Sequence, residues 1–353
     1  MKIKELRIEN LRNLVDVSFQ PHQDLNIIIG DNGAGKTAII ESLVVLSRGR
    51  SFRTHQASEL IGPEKGSFRV FAKAVRGDGK VHRLGLERSG KHWRARKDSK
   101  DLSQISKLTR SLPLILMEPN SHLLVSGAPE YRRRFLDWGV FHVEHGFLDT
   151  YRRFSRALKQ RNAALRQKHN EMLDSLDSLI SPLAKQLDAQ RKRHCQSVSK
   201  ELRGLLPILS PDLREIEVEY MQGWGGGEYA DVLFESRERD LERGATILGP
   251  HRADVVLKQG KALARSILSR GEQKIVSAAL LLAQAGLLCS IGEPPIILLD
   301  DLASEFDQFH FNSVLVASLE RGGQVWVTGT QMQPPTGEKK VFHVKHGTVQ
   351  EVL

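Results

Sequence analysis

The octapeptide GDNGAGKT, Gly30 to Thr37, satisfies the spacing G-x-x-x-x-G-K-[ST] and lies between the apolar run LNIIIG and the apolar segment TAIIESLVVLS. A strand that ends in a glycine turn and opens a helix is the context in which this spacing grips phosphate. Gly30, Asp31, Asn32, Gly33, Ala34 and Gly35 bring backbone amides together, and Lys36 sets a positive charge on the outer phosphates. Thr37 offers a hydroxyl to Mg2+, and a helix starting at Lys36 adds the partial positive charge of its N-terminus. The cation needs a carboxylate at the end of another buried strand, and IILLDDLASEFD provides it. Asp300 is placed to hold magnesium through water, and Asp301 to orient an attacking water. An aspartate is shorter than a glutamate and positions water less well, so hydrolysis is expected to be slow.

A second anion pocket is written into LSRGEQKIVSAALLLAQ, where Ser269 and the amide of Gly271 precede an apolar helix. Standing alone, the stretch would be a capped core helix. It is followed by the strand PPIILLDD and the loop SEFD, Ser304 to Asp307. That order resembles the signature motif, helix, Walker B and short loop of ABC-type ATPases. The resemblance implies that Ser269 and Gly271 serve a nucleotide held by a partner subunit, two copies sandwiching two ATP molecules head to tail, and that Asp307 in the short loop is a nucleotide-binding residue.

The elements around these motifs follow from patterning. MKIKELRIENL alternates, VDVSFQ follows, and SFRVFAKAVRG and VHRLGLERSG flank DGK as a hairpin. PPIILLDD and GQVWVTGT are short apolar runs of the kind buried in a parallel sheet. From about Tyr131 the texture becomes charged and rich in alanine and leucine, as an inserted helical lobe would be, and Pro182 is expected to break it into two helices that fold back on each other. The organisation expected is residues 1–112 and 226–353 as halves of an α/β ATPase domain, with 113–225 as a basic helical insertion.

Composition narrows the partners. Lys plus Arg exceed Asp plus Glu by 52 to 42, a net charge of +10, which favours a polyanion such as nucleic acid. The two cysteines, Cys195 and Cys289, support neither a disulfide framework nor a thiolate zinc site, and a reducing cytoplasm fits them. The N-terminal segment lacks the apolar core of a signal peptide, and AALLLAQAGLLCSI is shorter than the ~20 residues that span a bilayer, so no membrane partner is expected.

GAPEYRRRFLDWGVFH, LKQRNAALRQ, GPHRADV, LSRGEQK and LLDDLASEFD, in this order, resemble the RecF family of bacterial recombination mediators, and the likeness starts at IENLRNL. It implies an SMC-like, ABC-type ATPase head without a long coiled coil that dimerises on ATP and hydrolyses it slowly. It also implies binding to double-stranded DNA and to junctions with single strands, and help to RecO and RecR in loading RecA. Arg12 and Asn13 match a family position near the nucleotide. Three stretches depart from the family: MEPNSHLL, which puts in doubt a metal or water contact at Glu118 and Pro119, SEFD, and Ala253 in GPHRADV.

For DNA, positive charge collects at Arg132, Arg133 and Arg134, then Arg152, Arg153, Arg156, Lys159 and Arg161. Arg152, Arg156 and Lys159 fall on one helix face and can follow a phosphate backbone. No helix-turn-helix, zinc finger or stacking platform is evident, so binding is expected to follow shape and charge. A small-molecule P-loop kinase and a transporter ATPase are the rival readings; the first gives LSRGEQK no role, and the second predicts a membrane partner.

Overall fold

The computed structural model describes residues 1–213, 215–330 and 338–353. Backbone contacts divide the chain into one unit of residues 1–121 and 285–353 and another of 122–284.

In the first unit a six-stranded sheet runs in the order Thr348–Glu351, Lys340–Lys345, Leu25–Ile29, Gln324–Gly329, Ile296–Leu299, Leu114–Met117. All neighbours are parallel except the hairpin of the first two. LNIII, QVWVTG, IILL and LILM are buried almost throughout, as strands covered on both faces must be. A second, antiparallel sheet joins Leu14–Phe19, Lys2–Leu11, Phe68–Val75, Val81–Ser89, His92–Lys97 and Lys100–Leu102. Its strands alternate, Phe68–Val75 burying every other side chain, because only one face meets the core. The expected hairpin is this pair, Phe68–Val75 with Val81–Ser89. The helix Lys36–Arg48 touches strands of both sheets and is buried nearly all round, which explains its unbroken IIESLVVLS core.

The second unit holds the helices Pro129–Val143, Phe147–Gln167 and Leu173–Leu209, and a three-stranded antiparallel sheet of Glu217–Met221, Asp254–Gln259 and Ala262–Leu263. The two longest helices pack on each other. Their reversal is not at Pro182 but at Lys168–Met172, where Lys168 takes φ +57° and closes the first helix. Pro182 sits inside the second helix. A proline there removes one ladder hydrogen bond, a cost of ~3 kcal/mol. Burial of Leu176, Ile180, Leu183 and Leu187 on one stripe offsets it, each side chain contributing roughly 1.5–3 kcal/mol when fully buried.

The borders expected at 112 and 225 fall instead at 121 and 284. Leu114–Met117 is hydrogen-bonded in register to Ile296–Leu299 and so belongs to the parallel sheet. Asp254–Gln259 pairs with Glu217–Met221, which keeps the signature stretch with the helical insertion. The second border falls within the helix Arg270–Ser290. By length and composition that helix could span a bilayer, contrary to the expectation from the apolar run alone, but 67% of its most apolar window is buried inside the protein, as in a core helix.

Candidate nucleotide site and cationic surfaces

The phosphate loop connects Leu25–Ile29 to Lys36–Arg48, as its flanking runs require. Gly30 has φ +153°, and a Cβ there would meet the Val344 carbonyl oxygen at 2.3 Å, so only glycine lets the neighbouring strand approach. Gly35, at φ +120°, has Asn13 side-chain atoms 3.2 Å from its would-be Cβ. Asn13 braces the loop: its Nδ2 donates to the carbonyls of Gly33 (3.2 Å) and Ala34 (3.1 Å). The Gly347 amide donates to Ala34 O from the C-terminal hairpin at 2.9 Å. Lys36 is buried, its Nζ donating to the carbonyls of Gly30 (2.7 Å) and Asp31 (2.9 Å), which holds the ammonium over the loop mouth. Asp31, Asn32 and Gly33 are exposed at the turn, and Ala34 is packed beneath it.

Asp300 ends the strand Ile296–Leu299 and is buried. Its Oδ1 accepts from Thr37 Oγ1 at 3.2 Å and from Thr328 Oγ1 at 2.8 Å, joining the lysine-threonine pair of the loop to the carboxylate. Burial pushes the Asp300 carboxyl up, and the charge of Asp301 adds to this, against the two threonine hydroxyls. Asp301 is half-buried in the left-handed region at φ +54°, its amide donating to Thr328 Oγ1 at 2.9 Å. That turn re-aims the chain directly after the buried strand.

Glu118 follows the strand Leu114–Met117, whose Met117 pairs with Leu299, so the registers place Glu118 and Asp300 at the same end of neighbouring strands. Its carboxyl is raised to about 7, first by burial and then by the charge of Asp300, against Arg48 and Arg53. The Glu118 amide donates to Ser121 Oγ at 2.9 Å. In the sequence Glu118 stands out only as a contact put in doubt by MEPNSHLL, and Thr328 is not among the expected site residues. The single polar residue in the apolar run VWVTG was the signal for the latter.

Arg12 takes φ +57° and grips the fully buried Glu41 of the loop helix with two bonds, Nε at 2.9 Å and Nη2 at 3.0 Å, while Nη1 donates to Glu59 O at 2.7 Å. The guanidinium is therefore committed to a buried carboxylate behind the loop.

In the second unit Ser269 makes a capping box: its amide donates to Glu272 Oε2 (2.7 Å) and its Oγ accepts from the Glu272 amide (3.3 Å). Gly271 lies in the first helical turn with nothing within 4 Å of a would-be Cβ. Asp307, in the first unit, caps the helix Gln308–Arg321, accepting from the His310 amide at 2.9 Å.

The cations are not one row. Arg161 is fully buried, bonded to Asp177 (2.6 Å), Asp240 (2.6 Å) and Thr246 (2.9 Å), and Arg132 is buried on Asp254 through two bonds of 2.8 and 3.0 Å. Both are withdrawn from any surface. Arg133 is half-buried and donates to Ala253 O at 2.9 Å. Arg134 is exposed and pairs with Glu130, and Arg153 with Asp149 at 3.9 Å. Arg152, Arg156 and Lys159 are exposed on Phe147–Gln167, and Arg166, not anticipated, continues them. At 3.6 residues per turn these four fall within an arc of roughly 80°.

The family model of the RecF/RecN/SMC N terminal domain matches residues 2–350 of the chain. DNA replication and repair protein RecF of Stenotrophomonas maltophilia (strain R551-3) is 40% identical over 360 residues, covering 99% of each chain. The chain belongs to the RecF family. The RecF protein of Xanthomonas euvesicatoria pv. vesicatoria (strain 85-10) is 39% identical over 361 residues, 99% of this chain and 98% of its own. Among solved structures the fold is similar to that of the recombination mediator protein RecF-ATP in the RecFOR pathway, with TM-score 0.90 at 22% identity over 100% of this chain and 98% of the other. The SmcHead bound to the C-winged helix domain of ScpA gives TM-score 0.61 at 15% identity over 100% and 97%. RecF and SMC heads thus share this α/β ATPase-head architecture, and among the described residues no long coiled coil leaves it.

Proposed function

We propose that this chain is an ATP-dependent DNA-binding protein of recombinational repair and replication, a member of the RecF family acting in the cytoplasm with RecO and RecR to assist RecA loading at gaps. The observation that carries the nucleotide part is the convergence of Lys36, Thr37 and Asp300 through the 3.2 Å contact between Thr37 Oγ1 and Asp300 Oδ1. A hydroxyl beside a carboxylate oxygen is the hard donor chemistry that Mg2+ takes, so the residues fit the ion. When bound there by Thr37 and Asp300, Mg2+ supplies charge neutralisation to the phosphates of ATP.

The chain's own groups do the rest. Lys36 exchanges carbonyl partners for phosphate oxygens, and the loop amides with the N-terminus of Lys36–Arg48 bind the anion. Burial raises both the Asp300 and the Glu118 carboxyl, and the charge of Asp300 adds to this at Glu118, so a cation bound beside them would favour their ionised forms. Asp301 orients water, and hydrolysis is weak and DNA-stimulated. Ser269 and Gly271, with Asp307, complete the site of a second copy head to tail, so the γ-phosphate favours the dimer and its loss favours release. Double-stranded DNA and its junctions with single strands lie along Arg152, Arg156 and Lys159, with Arg133, Arg134 and Arg153 at the margins.

Sedimentation with no nucleotide, with ADP and with ATP plus magnesium tests this. The dimer is expected with ATP alone. Ser269→Arg should keep ATP binding and lose the dimer. Ser269→Asp, which preserves the helix cap but faces phosphate with like charge, should do the same. A monomer under every condition sinks the clamp and leaves Ser269 a helix cap, as the kinase reading would have it.

A further inference from the structure

The outer face of the antiparallel sheet carries a feature that the nucleotide site does not use. Lys73 on Phe68–Val75 stands directly opposite Arg83 on Val81–Ser89. Like charges opposite each other across strands are destabilising. Among the described residues neither side chain has an acidic partner: Glu5, across from Lys73 on the other side, is paired with Arg7. Two residues along the same face, Phe71 stands opposite Gly85. The Arg7 guanidinium lies 5.8 Å from the Phe71 ring centroid, and on the other flank nothing lies within 4 Å of a would-be Cβ on Gly85. Gly85 has no positive φ and no close neighbour to require it, and a glycine in mid-strand weakens the sheet. Glu5, Arg7, Glu9, Arg69, Phe71, Lys73 and Arg83 line one groove of about 360 Å³; Arg7 is paired with Glu5 and Arg69 with Glu9 and Glu87, which leaves Lys73 and Arg83 as the cations of the groove without an acidic partner among the described residues.

We infer that this groove binds single-stranded DNA, stacking a base on Phe71 over the open floor at Gly85 and seating the adjoining phosphate between Lys73 and Arg83. A bridging anion turns the Lys73 and Arg83 repulsion into two attractions, and a flat ring fills the space a side chain would otherwise occupy. The pairing of an aromatic platform with flanking cations is the chemistry by which strands with unpaired bases are held without sequence preference. The site needs no ATP and belongs to the first unit, whereas the helix face assigned to duplex DNA belongs to the second; it shares with that reading only the premise that the chain meets DNA. Patterning alone could not reveal it, because Phe71 and Gly85 become neighbours only through the strand register.

Fluorescence anisotropy of the full chain with labelled oligothymidylate, in the absence of ATP, tests the site. Phe71→Ala should weaken binding about tenfold, within the range of a lost base stack. Lys73→Glu with Arg83→Glu should make the salt dependence shallower by about 1, for roughly one or two phosphates released. Gly85→Val should lose the oligonucleotide while its melting temperature holds or rises, since a β-branched residue suits a strand. All three should keep parental duplex affinity and ATP-induced dimerisation. Unchanged oligothymidylate binding in Phe71→Ala and Gly85→Val overturns the inference and leaves the duplex reading standing. Saturable binding of dTMP alone, as tight as that of the oligonucleotide, also overturns it, reassigning the groove to a free nucleotide. Loss of duplex and single strand together in the parent protein would remove the DNA premise of both.

Discussion

Arg156 and Arg161 sit little more than a turn apart on the helix Phe147–Gln167, and the fold uses them in opposite ways. Arg156 is exposed; Arg161 is fully buried between Asp177 and Asp240. The difference was present in the sequence as spacing. Phe147, Thr150, Phe154, Ala157, Arg161 and Ala164 recur every three or four residues as the buried stripe, and Arg161 falls on it. Its partners were not legible, because Asp177 lies on the next long helix, past the chain reversal, and Asp240 on a third helix 79 residues away. Arg161→Ala should destabilise the unit by about 3–5 kcal/mol in urea titration, since it strands two buried carboxylates, whereas Arg156→Ala should change stability by less than about 0.5 kcal/mol. Asp300 and Lys36 stand at the strand end and the helix start that their motifs imply, because strand end, glycine loop and helix start are local signals. Glu118 needed the partner strand, and so its place beside Asp300 is visible only in the register of Leu114–Met117 against Ile296–Leu299.

At the scale of elements, local signals placed the starts of helices and strands well and placed one break badly. Lys36 begins its helix as expected, and IILL and QVWVTG are parallel neighbours. Pro182 was read as a stop, but a long apolar stripe on Leu173–Leu209 outweighs one missing donor, and the chain reverses where Lys168 adopts a left-handed conformation. The helix Phe147–Gln167 has one acid, Asp149, so the face bearing Arg152, Arg156, Lys159 and Arg166 is positive along its length. Arg152→Glu with Arg156→Glu should therefore reduce the slope of log affinity against log salt for duplex DNA by about 2 while leaving the melting temperature of the free protein unchanged. An unchanged slope would move the duplex elsewhere.

At the scale of the molecule, two units are assembled from three pieces of chain, and only texture hinted at this: the helical composition marked an insertion but not that strands after it would stay with it. Stability should also depend on pH through the second unit. His194 is buried on Leu173–Leu209, where a Cβ on Gly139 would meet its Nε2 at 2.1 Å, and burial lowers its pKa from an ordinary 6.5 to about 4. Between those values the unfolded chain takes up a proton that the folded one refuses, so stability is full above about 6.5 and falls as the pH drops toward 4. His194→Gln should flatten this acid limb in denaturant titrations across that window, against a loss approaching about 3 kcal/mol in the parent.

The strand that carries the phosphate loop, Leu25–Ile29, has as its sheet partners Gln324–Gly329 and Lys340–Lys345. On the ribosome it therefore emerges early and then waits for nearly the whole chain, which at roughly 5–20 residues per second is on the order of tens of seconds. Residues 122–284 contain their own sheet and helix pairs and can fold during that interval. A nascent chain thus acquires its helical unit first, and its grip on nucleotide is delayed until the last strands are made.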